Sequence, residues 1–245
     1  MTADDQPIPS VWTRPPRGRR EQPALSRDQI VAEAIQLLDA EGLEALSMRK
    51  LGTRLGAGAT SLYRHVANKD ELIELVLDEV YGELHLPADA GEADWREVTA
   101  ESAHAMRAMI LRHPWLASVL SQVGTAYLGP NLMRLSEDML TLLESAGFTL
   151  KEGENAMTTV FSYVIGITSA EAAMLTTLTR NGRTENEWAQ QMIPAAQQAV
   201  ASYPRLSALY AEYAGKDPKQ TRDEDFTRGL DRILDGLAAS RHDKG

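Results

Sequence analysis

The sequence predicts an all-α protein, on three observations. Apolar residues recur at three- and four-residue spacing in one segment after another, as on one face of a helix. Many of these segments open on Ser, Thr, Asn or Asp and several close on Gly. No segment alternates apolar and polar residues between hairpin turns, as half-buried strands would.

The elements follow in order. Residues 1–23 hold five of the 11 prolines and no apolar period, so they are expected to be a disordered basic arm. Ser26 caps the first helix, with Gln29 three residues on as in a capping box. Ile30, Ala34, Leu37 and Leu38 mark its inner face, and Gly42 ends it at about Glu41. Ser47 caps a short helix, Met48 to Leu55, stopped by Gly56; another runs from Thr60 to Val66. Asn68 caps a fourth helix with Leu72, Leu75, Val76 and Val80 inward. Helices are then expected over Asp94–Arg112, Trp115–Gln122 and Asn131–Ala146. Glu152 to about Thr179 is apolar on several sides and should be central. Amphipathic helices over Glu185–Ser202, Pro204–Ala214 and Arg222–Ala239 complete the chain.

Composition narrows the function. The 245 residues are 43% hydrophobic and 24% charged, as in an ordinary soluble protein, and contain no Cys. That excludes a disulfide framework, a thiolate metal site and a cysteine nucleophile. The N-terminus lacks the apolar region of a secretory signal. The apolar uncharged stretch Asn155 to Ala170 is 16 residues and contains Ser and Thr, whereas a bilayer span needs roughly 20 predominantly apolar residues. The expectation is a cytoplasmic protein without a membrane span. The net charge of −10 is uneven: residues 1–69 carry 10 basic and 8 acidic residues, and all the excess acid lies beyond them. Between Ser47 and Lys69 there are five basic residues and no acid. A basic module on an acidic body points to a polyanion partner for the module alone; a solvated charged face is the other reading.

Ser47 to Lys69, SMRKLGTRLGAGATSLYRHVANK, has the layout of a helix-turn-helix. Leu51, Leu55, Leu62 and Val66 supply a small core, Gly52 permits a close crossing, and Gly56 can take the left-handed conformation that stops the first helix. The second helix then presents Thr60, Ser61, Tyr63, Arg64 and His65 outward, groups suited to base edges and phosphates. The arm adds Arg14, Arg17, Arg19 and Arg20 in RPPRGRR. It is either a minor-groove arm or a solubilising tail.

Residues 30–80, and LYRHVANKDEL within them, resemble the tetracycline-repressor (TetR) family of bacterial transcription regulators. LLESAGFTLKEGENAM and a W-x-x-V at Trp95 resemble the C-terminal domains of the tetracycline repressors themselves. The resemblance implies three domains: the arm (1–23), a three-helix helix-turn-helix DNA-binding domain (24–70), and a larger helical dimerisation and ligand-binding domain (71–245) reached through the fourth helix. It implies that Arg49 touches the backbone or a base edge, that Thr60, Ser61 and Arg64 face the major groove, and that Tyr63, His65 and Lys69 hold phosphates. The free amides at the start of the fourth helix would assist.

For the body, the resemblance implies a homodimer enclosing a small-molecule effector. Ser162, Gly166 and Ala170 form a row of small residues, and Phe226, Leu230, Ile233 and Leu237 form an apolar stripe; together they could make a four-helix bundle between subunits, or pack within one chain. Ligand-binding candidates are Met106, Met109, Trp115, Met133, Phe161 and Met174, with His85 and Tyr127 as polar contacts. The same residues serve equally as plain core. Alignment with the tetracycline repressors puts His85 near a pocket histidine and Tyr127 near the magnesium-binding position. Tyr is a poor magnesium ligand, so neither metal nor cofactor is expected. No catalytic motif appears: GAGATS lacks the ending of a phosphate loop, and Glu101–His104 is a single E-x-x-H where a di-metal site needs two. The expected function is a repressor released from a palindromic double-stranded DNA operator by an apolar or amphipathic effector. The alternatives are a helical adaptor or a DNA-binding protein without sensing.

Overall fold

A computed structural model describes residues 25–86, 94–122 and 129–240. All regular structure among them is helical, as expected. The arm residues Arg14, Arg17, Arg19 and Arg20, and Tyr127, lie outside the described residues.

The N-terminal unit comprises α1 (Arg27–Glu41), a 3-10 turn (Leu43–Ala45), α2 (Met48–Arg54) and α3 (Ala59–Leu62). Ser26 and Gln29 form the expected capping box, and Gly42 leaves the helix at φ +81°. Ser47 accepts from the Lys50 N–H at the head of α2. Gly56 has φ +62°. A Cβ at Gly52 would lie 2.8 Å from the Ala57 carbonyl oxygen, so only Gly lets the turn fold back on α2. The regular part of α3 is shorter than the predicted Thr60–Val66. Beyond Leu62 the chain continues in turns, with the Leu62 carbonyl accepting from both His65 and Val66. Ile30, Leu37, Leu38, Leu51, Leu62 and Leu72 are among the most buried side chains of the protein.

From this unit α4 (Lys69–Tyr81) leads into the body: α5 (Trp95–Arg112), α6 (Leu116–Gln122), α7 (Pro130–Ser145), α8 (Leu150–Arg180), α9 (Glu185–Ala199), α10 (Pro204–Tyr213) and α11 (Pro218–Ser240). As predicted, α8 is central: α5, α6, α7, α9 and α11 all pack on it. It begins two residues earlier than predicted because Thr149 and Glu152 form a capping box. By length and composition α8 could cross a membrane. Its length shows that the 16-residue uncharged stretch understates the apolar segment.

The predicted stripe on α11 is corrected at two of its four positions. Phe226 and Leu230 are each 1% exposed, buried within the chain rather than presented to a second copy. Ile233 and Leu237 are half-buried against the same core. Phe226 lies beneath the Arg107 guanidinium, 4.8 Å from its centroid, and its carbonyl accepts from the Tyr163 hydroxyl. Ser162, Gly166 and Ala170 on α8 are exposed, and a Cβ at Gly166 would meet no atom within 4 Å. Close packing along this row therefore does not come from within the described chain.

A charged cluster ties the far end of the body together. Arg107 on α5 makes two 2.8 Å bonds to Glu171 on α8 and one of 2.7 Å to Asp223 on α11. Arg222 also donates to Glu171, at 2.8 Å, and pairs with Glu185 on α9. Burial pushes the Glu171 carboxyl up, but the two guanidiniums donating to it outweigh that and hold it below the ordinary value.

Candidate DNA interface and ligand cavity

The basic segment is less uniformly available than its composition suggests. Lys50 pairs with Glu41, and Arg54 with Glu33, both acids of α1. Arg49, Arg64 and Lys69 make no such pair among the described residues. Thr60, Tyr63 and Arg64 are exposed, Tyr63 at 52%; Ser61, His65 and Lys69 are half-buried. An exposed tyrosine flanked by Arg64 and His65 suits a phosphate-bearing groove better than open water. The amides heading α4 are not all free. Asn68 accepts from Glu71 N–H at 2.8 Å, and the Glu71 carboxylate accepts from Ala67 N–H at 2.6 Å. The groups left open at this terminus are Lys69, which is half-buried, and the amides that remain.

At the other end of α4 lies a cavity of about 320 Å³. Tyr81, Leu84 and His85 line it from the end of α4, Met106 from α5, Met133 from α7 and Phe161 from α8. Four of the predicted ligand residues, His85, Met106, Met133 and Phe161, thus meet around one space. Three do not. Met109 is 1% exposed and outside the cavity. Trp115 is buried with its indole N–H donating to Asp39 at 2.8 Å, so it joins the body to α1. Met174 lines a separate cavity between α8, α9, α10 and α11.

Sequence reasoning missed Thr99, Ser102 and Ala103, which with Met106 form a row at i, i+3, i+4 and i+7 on α5. The helical spacing carries that signal, but small and hydroxyl residues do not stand out as Met does. It also missed Leu132, Leu135 and Ser136 on α7. The described lining offers hydroxyls and one imidazole but no charged side chain. His85 Nδ1 lies 3.1 Å from the Glu83 carbonyl, which leaves Nε2 for a ligand. One imidazole without a carboxylate does not fit magnesium, which is held by oxygen ligands.

Two bridges join the N-terminal unit to the body. In one, Asp39 of α1 meets His113 Nδ1 at 2.7 Å and the Trp115 indole, while His113 Nε2 lies 3.1 Å from Glu83. In the other, Asp78 of α4 accepts from the backbone N–H groups of Asn131 and Leu132 at 2.9 and 3.2 Å.

Comparison with known proteins agrees with this layout. Residues 30–76 match the bacterial regulatory proteins of the tetR family, and residues 86–241 match the tetracyclin repressor-like C-terminal domain. The chain is 38% identical over 226 residues to the HTH-type transcriptional repressor DrrR1 of Streptomyces coeruleorubidus, covering 91% of this chain and 80% of that protein. It is 37% identical over 234 residues to an HTH-type transcriptional regulator of Saccharopolyspora erythraea, covering 94% and 92%. Its fold is similar to that of ActR from Streptomyces coelicolor in complex with actinorhodin, with a TM-score of 0.71, 33% identity, and coverage of 89% and 99%. With the helix-turn-helix, the connecting α4 and the helical body all accounted for, the chain belongs to the TetR family of bacterial regulatory proteins.

Proposed function

We propose that the protein is a cytoplasmic, homodimeric repressor that binds a palindromic operator and is released by a small, uncharged, largely apolar molecule. It performs no catalysis. The observation that carries the reading is the span of α4. Its first residue, Lys69, stands beside the exposed Tyr63–Arg64 surface, and its last turn, with Tyr81, walls the cavity. A ligand that prefers one position of α4 shifts the DNA-competent population by its preference between states. The absence of charge in the described lining favours a neutral ligand, because an unpaired ion would lose its hydration without compensation. DrrR1 is a repressor by name and ActR is seen with a bound small molecule, and both support the same reading here.

Selection from a random duplex library tests the DNA half. A palindrome should be enriched, and its affinity should fall steeply with salt. Titrating that duplex with and without an uncharged compound found by thermal shift tests the sensing half. The compound should raise Kd by about 5–150-fold, the usual range of allosteric coupling. A compound seen in the cavity that leaves Kd unchanged would reduce the protein to a DNA-binding regulator without sensing.

A further inference from the structure

We propose that Asp78 is the residue that couples the cavity to the DNA-binding unit, by serving as the N-terminal cap of a helix other than its own. The inference rests on the repressor reading above.

Helices α1, α2, α4, α5, α8 and α9 are each capped by the side chain of their own preceding residue. α7 is not. Its N-cap is Gly129, which has no side chain, and its first turn holds no acidic residue. Free amides and a positive dipole end at such a terminus call for an anionic acceptor. α4 supplies it. Asp78 Oδ1 takes the N–H groups of Asn131 and Leu132, and the Asn131 carboxamide donates back to Asp78 Oδ2 at 3.2 Å and to the Asp78 carbonyl at 3.1 Å. The glycine is required for this. A Cβ at Gly129 would lie 2.1 Å from Asp78 Oδ1, inside the carboxylate itself.

The clamp sits between the two functional surfaces. Leu132, whose amide Asp78 holds, also lines the cavity, as do Met133 and Ser136 in the next turn of α7. On the other side Asp78 is nine residues along α4 from Lys69, about 14 Å at helical rise. A ligand that displaces α7 therefore pulls on α4 through charge-assisted bonds. The second bridge, Asp39 with His113 and Trp115 and His113 with Glu83, includes no residue that lines the cavity and ties the end of α1 to the body. One attachment moving while the other stays fixed turns the DNA-binding unit.

The test uses a wedge in place of a ligand. Ser136→Phe fills the cavity from α7, and Ser102→Phe fills it from α5. Affinity for the library-selected duplex is measured by anisotropy in the parent and Asp78→Ala backgrounds, with thermal melts to establish folding. In the parent the wedge should raise Kd about tenfold or more. With Asp78→Ala the same wedge should change Kd by less than about threefold, while Asp78→Ala alone still binds the duplex. A third variant separates coupling from mere capping. Asp78→Gly combined with Gly129→Asp gives α7 a cap of its own, at a position whose extended backbone suits one, and removes the Asp78 Cβ that would otherwise lie 2.6 Å from the new Cβ. It should recover the melting temperature lost by Asp78→Gly and remain insensitive to the wedge. A full wedge effect without Asp78, or one restored by Gly129→Asp, overturns the proposal while leaving the repressor reading intact. No wedge effect in the parent from either helix overturns the sensing half of the repressor reading, and the role of Asp78 with it, while DNA binding stands. If Asp78→Ala does not fold, Gly129→Ala, which expels the Asp78 carboxylate from the same place, answers the same question.

Discussion

From Ser47 to Lys69 the starts of α2 and α4 are set by Ser47 and Asn68, each the residue just before its helix, and what remains outside is polar: Thr60, Tyr63 and Arg64 stand exposed on the surface of the unit. In the body the decisive groups are partners from distant sequence. Arg107 finds Glu171 and Asp223, and α7 finds its cap on α4. The contrast teaches where each region is vulnerable. An exposed side chain such as Thr60, Tyr63 or Arg64 can be removed without leaving anything buried and unpaired; a body residue of this kind cannot.

Loss of Glu171 should give the largest effect. Glu171→Ala would leave Arg107 and Arg222 without their shared carboxylate, and the Arg107 side chain is only 9% exposed. Breaking one partner of a buried pair costs about 3–5 kcal/mol, measurable by chemical denaturation. The same pair sets a pH dependence. The folded carboxyl titrates lower than the unfolded one, so its contribution is complete above the usual carboxylate range and is lost as pH falls through the folded value. Acid should thus destabilise the parent more steeply than Glu171→Gln. A cost below about 1 kcal/mol would erase the contrast between the two regions.

The same division explains what the sequence showed in advance. The Ser26–Gln29 capping box, the Gly42 and Gly56 stops and the small core under Leu62 depend on neighbours in the chain, and they appear where expected. The face Thr60–Tyr63–Arg64 followed from those inward positions. The cavity was only partly legible: His85, Met106, Met133 and Phe161 line it, but Met109, Trp115 and Met174 do not. Nothing in the spacing of an apolar helix tells which of its buried faces meets a partner and which meets a void. On the α11 stripe Phe226 and Leu230 could cover this chain or a second copy, and they cover this one, while Ile233 and Leu237 stay half-buried. Asp78 gave no signal at all, since its partner lies 53 residues away.

Substitutions on the DNA face should leave stability nearly unchanged and act on binding. Thr60→Ala or Arg64→Ala should alter preference between sites by ~1–3 kcal/mol for each well-formed hydrogen-bonded pairing with a base that it removes. Tyr63→Ala should weaken all sequences alike, because phosphate contacts carry no sequence information. Titrations against the selected duplex and against scrambled duplexes distinguish the two outcomes. Uniform weakening by Arg64→Ala would move it from the bases to the backbone.

Gly166→Leu carries the comparison to the outer face of α8. Gly166 is exposed and a Cβ there would meet nothing within 4 Å among the described residues, so the substitution should leave the folded chain intact. If Ser162, Gly166 and Ala170 face a second copy, overpacking there should weaken the dimer by ~1–3 kcal/mol. Light scattering across a dilution series would show dissociation at higher concentration than for the parent. An unchanged dimer would place the interface elsewhere.

The smallest effect sharpens the account of the basic segment. Lys69 and Arg54 lie in the same acid-free run, yet Arg54 is paired with Glu33, while Lys69 has no such pair among the described residues. A cation already neutralised by its own chain releases few counterions when DNA arrives, whereas one that meets a phosphate releases about one. Lys69→Ala should therefore lower the slope of log Kd against log salt by about one for each Lys69 that meets a phosphate. Arg54→Ala should leave that slope unchanged and cost only ~0.2–1 kcal/mol in stability, the usual value of an exposed ion pair. Glu33→Gln supplies the converse, since freeing Arg54 should raise the slope if its guanidinium can reach the DNA. An equal lowering of the slope by Lys69→Ala and Arg54→Ala would mean that the Arg54 pairing with α1 opens on binding, and an unchanged slope in both would take Lys69 off the phosphates.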